Sequence, residues 1–160
     1  MTCAIIVDIK SSMDSIRINE FLGSDARPIV TQLYEREGNG IDIRETDRFF
    51  VALTNDEVAG SVRFCVEENT PMLRTMRVAQ KFQGLGCGLK LLQVFAAYLD
   101  QNQIRDVFCL PYAHLEKFYG AIGFQTIDET IAPAFLRERL RKYREKPGQY
   151  LCMKREGRKT

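Results

Sequence analysis

A mixed α/β domain is the architecture implied by this 160-residue chain, and three features lead to it. Strand-like apolar runs cluster at residues 49–53, 58–64 and 72–78. Leu89, Leu92, Phe95, Ala96 and Leu99 then recur at spacings of three and four, which places them on one buried helical face. Between the last strand and this helix lies Gln83-Gly84-Leu85-Gly86-Cys87-Gly88, a glycine-rich junction. Strands grouped early, with helices interspersed around them, fit a central sheet covered by helices.

The elements follow in order. Residues 3–7 read as a first strand. Residues 12–37 lean towards helix but are interrupted by Gly23 and Pro28, so two short helices are expected, the second near residues 28–34. Gly38-Asn39-Gly40 is a break. Residues 49–53 and 58–64 form an antiparallel pair turning at Asn55-Asp56, and Pro71 ends that unit before the strand at 72–78. Residues 107–110 make a short apolar run of the kind buried on both faces, bounded by Pro111.

A helix near residues 114–122 is stopped by Gly123, and a strand at 124–127 follows. Pro133 suits the first turn of a helix whose apolar face is Leu136, Leu140 and Tyr143. Pro147-Gly148 breaks that helix before a last strand at 150–153. Residues 1–154 are therefore expected to form one domain, with 155–160 as a frayed basic tail.

Bulk properties narrow the function classes. A net charge of +2 calls for neither a nucleic-acid nor a membrane partner. No apolar run approaches the roughly 20 residues of a membrane span, and the first residues lack the basic flank of a signal peptide. Five scattered cysteines, never spaced as Cys-x-x-Cys, point to free thiols in a reducing cytoplasm and away from a zinc site. Cys65, Cys109 and Cys152 read as small core fillers. Cys87 has no basic partner beside it, which argues against a nucleophile. The cationic run from Arg137 to Lys146 is interleaved with Glu138 and Glu145, as on a solvated helix face.

Glycines at alternate positions leave backbone N–H groups open to a ligand, and the helix that follows adds its own unpaired donors and a favourable dipole. An anion such as pyrophosphate suits that arrangement. A P-loop does not fit, because Lys90 is followed by Leu91. A dinucleotide fingerprint does not fit either, because its third glycine would fall on Leu89. A plain structural turn remains the alternative.

A second segment, Leu115-Glu116-Lys117-Phe118-Tyr119-Gly120-Ala121-Ile122-Gly123-Phe124, bears on that choice. With the glycine loop it resembles the GCN5-related N-acetyltransferase (GNAT) family. There a strand ending in Val precedes a (Gln/Arg)-x-x-Gly-x-(Gly/Ala) loop, matched by Val78 and by Gln83, Gly86 and Gly88. The later Phe-Tyr-x-x-x-Gly-Phe signature is matched by Phe118, Tyr119, Gly123 and Phe124. The resemblance covers about residues 49–124.

The resemblance implies a mostly antiparallel sheet, splayed between the strand before the glycine loop and the strand before the Tyr119 helix. It also implies acetyl-CoA as co-substrate, an amine acceptor and no metal. Gln83, Gly84, Leu85, Gly86, Cys87, Gly88 and Leu89 would hold the pyrophosphate, and Met76 and Val78 the pantetheine arm beside a bulge. A strand N–H near Met76 would steady the oxyanion, and Tyr119 would act as the acid for the departing thiolate. A carboxylate base is absent from Leu73-Arg74-Thr75-Met76-Arg77, which leaves Glu67, Glu68, Glu116, His114 or water.

Tyr112 stands where the family often has Asn, seven residues before the tyrosine. Arg63, Arg74 and Arg77 lie in strand-like segments, either at solvent-facing strand ends or at a site, and alternation assigns Arg74 and Arg77 to opposite faces, so at most one of those two would point into a shared site. Such an arginine can clamp a substrate carboxylate. A noncatalytic CoA-binding or interaction module, and an enzyme using another acyl-CoA, are the competing readings.

Overall fold

The computed structural model describes residues 4–7 by backbone alone, and residues 16–36, 42–55 and 57–157. Cys3, the Gly38-Asn39-Gly40 break, Asp56 of the expected turn and residues 158–160 of the tail lie outside the described residues.

Among the described residues, eight strands make one sheet: β1 (Ala4–Val7), β2 (Ile16–Leu22), β3 (Arg48–Leu53), β4 (Val58–Glu67), β5 (Thr70–Val78), β6 (Val107–Cys109), β7 (Gln125–Thr126) and β8 (Met153–Arg155). Their spatial order is β1-β2-β3-β4-β5-β6-β8-β7. Every pairing is antiparallel except β5 with β6, which are parallel and share only the Met72–Phe108 register point. The helices are α1 (Gly23–Arg36), α2 (Cys87–Gln101), α3 (Glu116–Gly120) and α4 (Ala134–Tyr143). None of the described helices is long and apolar enough to cross a membrane.

Strand alternation sorts the core into two layers. Phe50, Val62, Phe64 and Leu73 face Leu91, Leu92, Phe95 and Leu99 of α2. On the opposite face Phe49 and Val51 pack with Ala26, Val30 and Tyr34 of α1. Cys65, Met72 and Phe108 pack there with Leu136 and Leu140 of α4. The four α2 anchors are wholly buried, and each such side chain contributes roughly 1.5–3 kcal/mol of transfer free energy. Val107 and Cys109 join the α2 layer while Phe108 joins the α4 layer, so β6 is buried on both faces as its apolar run implies.

Two expectations for the N-terminal region are corrected. Residues 16–22 are strand, not helix: they pair with β1 on one side and β3 on the other, and Ile16 and Ile18 point inward at the period of two. Helix α1 is single and contains Pro28, because its apolar face docks on Phe49 and Val51 and this burial outweighs the local penalty of the proline.

Pro71 is the second residue of β5, opposite Val66, and the preceding turn is made by Glu68 and Asn69 with positive φ. The last strand also runs later than expected. Arg155 is buried in it, donating from Nε to the Ile122 carbonyl at 2.7 Å and pairing with Asp100 at 3.0 Å, so it is not part of a frayed tail. Cys65, Cys87, Cys109 and Cys152 are buried free thiols.

Candidate active site

The loop leaving β5 passes through a single 3-10 turn at Gln80–Phe82 and enters α2 at Cys87. Gly84 and Gly86 have φ of 79° and 84°, a left-handed conformation that side chains adopt at a cost. A Cβ at either would meet nothing within 4 Å, so this side of the loop is open. The first helical bond runs from the Lys90 N–H to the Gly86 carbonyl at 3.1 Å. Among the described residues, the N–H groups of Gly84, Leu85, Gly86, Cys87, Gly88 and Leu89 donate to no backbone acceptor.

Gly88 differs from the other two glycines. A Cβ there would stand 3.1 Å from the Phe118 ring, so its bare Cα lets α2 approach α3. Gln83 is tied down by its side-chain amide, which donates to the Val78 carbonyl at 3.0 Å. Cys87 is buried, and burial pushes its thiol up to about 11, which makes it a poor nucleophile at neutral pH.

Beside this loop the sheet opens. Past Met72 and Phe108 the strands β5 and β6 no longer pair. The gap is a cleft of about 590 Å³ bordered by Arg74, Thr75, Met76 and Arg77 on one wall and Leu110, Pro111 and Tyr112 on the other. A narrower lobe of about 140 Å³ runs inward past Tyr119 to Cys109. A bulge shapes the first wall: Arg63 pairs with Arg74 and Ser61 with Arg77, leaving Val62 opposite both Thr75 and Met76. Thr75 has φ of 47°, and its carbonyl accepts from the Tyr34 hydroxyl at 2.7 Å.

The bulge corrects the expectation for the arginines. Ser61 and Arg63 are two residues apart and share a face, so their partners Arg77 and Arg74 share it too. Both border the cleft. Arg63 borders it as well, but it is buried and paired with buried Asp47 at 2.6 Å.

Tyr119 sits on α3 at the floor of the cleft. Its ring packs edge-on against Phe118 and Phe124 at centroid distances of 5.1 and 6.3 Å. Tyr119 is thus packed in the core and borders the cleft at once. Burial, with a smaller contribution from Cys109, pushes its phenol well above the usual value, against the opposing pull of Arg77. It keeps its proton throughout the neutral range.

The base candidates are scattered. His114 is exposed and stacks on Tyr112 at 5.6 Å. Glu116 is exposed and accepts from the Thr126 hydroxyl at 2.7 Å. Glu68 lies in the exposed turn before β5.

Only Glu67 of these four borders the main cleft, and it is held by Arg44 at 3.2 Å, Arg74 at 2.7 Å and Arg139 at 2.5 Å. Burial would raise its carboxyl, but Arg139 and Arg74 outweigh burial and hold it below the ordinary 4.5. A carboxylate so held is a weak base. Because the folded value is depressed, its stabilisation is present above the unfolded value and lost as pH falls through the folded one. Unfolding free energy should therefore drop on acidification below about pH 4.5. In Glu67→Gln that acid-side slope should be shallower, by urea titration at several pH values; an identical slope would remove this linkage.

Several cleft residues escaped sequence reasoning. Asp42 and Arg44 come from the segment before β3, and Tyr143, Lys146 and Tyr150 from the end of α4 and beyond. Tyr150 stacks on Tyr112 at 4.7 Å and lies 5.2 Å from Tyr143. Helix periodicity shows only that Tyr143 is apolar-facing, not what it faces. The basic run of α4 is largely spent internally: Arg139 on Glu67, Arg141 on Glu138 and Glu145, and Arg144 on Glu129.

Comparison with known proteins agrees with this architecture. The family model described as an acetyltransferase (GNAT) domain matches residues 19–137. Escherichia coli ElaA superposes with a TM-score of 0.70 at 18% identity, covering 88% of this chain and 99% of that one. An acyl-CoA N-acyltransferase from Pseudomonas aeruginosa gives 0.67 at 15% identity over 88% and 99%. N-acetylglutamate synthase from Neisseria gonorrhoeae, complexed with coenzyme A and N-acetyl-glutamate, gives 0.65 at 17% identity over 94% of this chain but 36% of that one. A search of the curated proteins found no match.

Proposed function

This chain belongs to the GNAT acetyltransferase domain family, and from that premise we propose that it transfers the acetyl group of acetyl-CoA directly to a primary amine. The observation that carries the reading is the run of unpaired N–H groups from Gly84 to Leu89, set beside a cleft that Tyr119 borders. Gly84, Leu85, Gly86, Cys87, Gly88 and Leu89 form the pyrophosphate cradle, backbone donors gathered at the positive end of α2, and Gln83, whose own N–H is spent on the Gln80 carbonyl, braces its entrance. Met76 and Val78 line the pantetheine path where β5 leaves β6, with a β5 amide near Met76 as the oxyanion donor.

The amine nitrogen attacks the thioester carbon, the N–C bond forms and the C–S bond breaks. The amine proton passes to water, because the carboxylates at hand are exposed or, like Glu67, neutralised. Tyr119 gives its proton, or a strong hydrogen bond, to the leaving thiolate. No covalent enzyme intermediate is needed.

Thermal stability across an acetyl-CoA titration, with adenosine as control, tests the cradle. Binding to the native state alone should raise stability by about 2.7 kcal/mol at a hundredfold excess over Kd. No shift at millimolar acetyl-CoA would reduce the loop to a structural turn. A shift without release of thiol from any amine would instead favour a noncatalytic CoA-binding module.

A further inference from the structure

The charges around the cleft do not cancel. Arg44, Arg63, Arg74, Arg77 and Lys146 border it against two acids, Asp42 and Glu67. Glu67 takes up Arg44 and Arg74, with Arg139 from α4, and Asp47 takes up Arg63. The Arg77 guanidinium has no ion pair or hydrogen bond among the described residues, its backbone alone being paired in the β4–β5 ladder. The bulge puts it on the same face as Arg74, and its charge acts on the Tyr119 phenol, so it stands near the proposed reaction centre.

A polar atom beside the bulge is also unpaired. The Ser61 and Thr75 hydroxyls lie within reach of the Tyr34 hydroxyl, but Arg63 Nε is buried without a hydrogen-bond partner, and Arg63 as a whole is only 3% exposed. Buried donors of this kind are normally satisfied. A guanidinium fork matches a carboxylate in a bidentate pair. Tyr112 stacked on Tyr150, with Tyr143 tilted against the latter, offers the opposite flank to the body of a ligand.

Building on the acetyl-transfer reading above, we propose that the acceptor is an amine that itself carries a carboxylate, and that Arg77 is the residue that pairs with it. Of the cations bordering the cleft, Arg77 and the exposed Lys146 lack an ion pair among the described residues, and Asp42 offsets one of these two charges, which suits a singly charged carboxylate better than a phosphate dianion.

The test uses matched acceptors with saturating acetyl-CoA: β-alanine against propylamine, L-phenylalanine against phenethylamine, and phosphoethanolamine against ethanolamine. Thiol release gives kcat/KM, and the thermal midpoint of the CoA-loaded protein gives binding. The carboxylated members should be favoured at least about tenfold in one readout or the other, the scale of one charge-assisted pair. Arg77→Gln should abolish the preference through the acceptor KM while leaving the acetyl-CoA midpoint shift intact, and Arg77→Lys should restore part of it.

A panel in which carboxylated members are neither turned over faster nor bound more tightly overturns the inference. So does a preference that survives in Arg77→Gln, or one confined to the phosphoethanolamine pair. All three leave acetyl-CoA binding standing. Loss of the acetyl-CoA shift in the unmodified protein overturns instead the reading on which the inference rests.

Discussion

Tyr119→Phe is expected to lower kcat by about a hundredfold while the acetyl-CoA midpoint shift stays within error. The magnitude sits at the lower end of general acid–base effects, roughly 10²–10⁴-fold, because a thiolate is already a moderate leaving group with a conjugate acid near pKa 8.5. Losing one hydroxyl leaves the ring packing on Phe118 and Phe124 unchanged, so stability should hardly move. The raised phenol adds a second signature: the wild-type rate should show no alkaline limb from this group up to about pH 10. An unchanged kcat, measured by thiol release at saturating substrates, would end the acid assignment.

The largest effect on stability is expected at Asp47. Its carboxylate pairs with Arg63 at 2.6 Å, with side chains 1% and 4% exposed, and it also accepts from the Arg44 N–H at 2.8 Å. Asp47→Asn keeps the shape but leaves Arg63 as an uncompensated buried cation. Breaking such a pair costs about 3–5 kcal/mol, a large part of the roughly 5–15 kcal/mol available to a domain. Urea unfolding with an unchanged m-value is the measurement. Adding Arg63→Met to Asp47→Asn should recover most of the loss, because replacing both charges is far less costly than stranding one. A single variant within about 1 kcal/mol of wild type would show that water reaches the pair.

Much of the central region was legible in the sequence, for local reasons. The α2 face repeats every three to four residues, the glycine loop and the Phe118-Tyr119 signature are contiguous, and β6 is a short apolar run between breaks. What escaped was decided at a distance. β2 looks helical because its inward alternation stops after Ile18, and it becomes strand only through partners on both edges. Glu67 meets Arg139 across 72 positions of sequence, and no local pattern signals such a meeting. The family resemblance implies a bulge beside Met76 and Val78, but nothing in the composition of residues 72–78 marks Thr75 as the extra residue.

That extra residue has a consequence for comparing this chain with its relatives. Downstream of Thr75, odd and even positions exchange faces, so an alignment drawn by residue parity assigns Arg77 to the apolar layer and Met76 to the cleft's charged wall. Straightening the strand with this threonine kept in it would interchange a cationic surface and a greasy one while leaving the chain's charge and hydrophobic content as they were. The chemistry offered to an acceptor is thus written in the count of residues along β5 as much as in their identities.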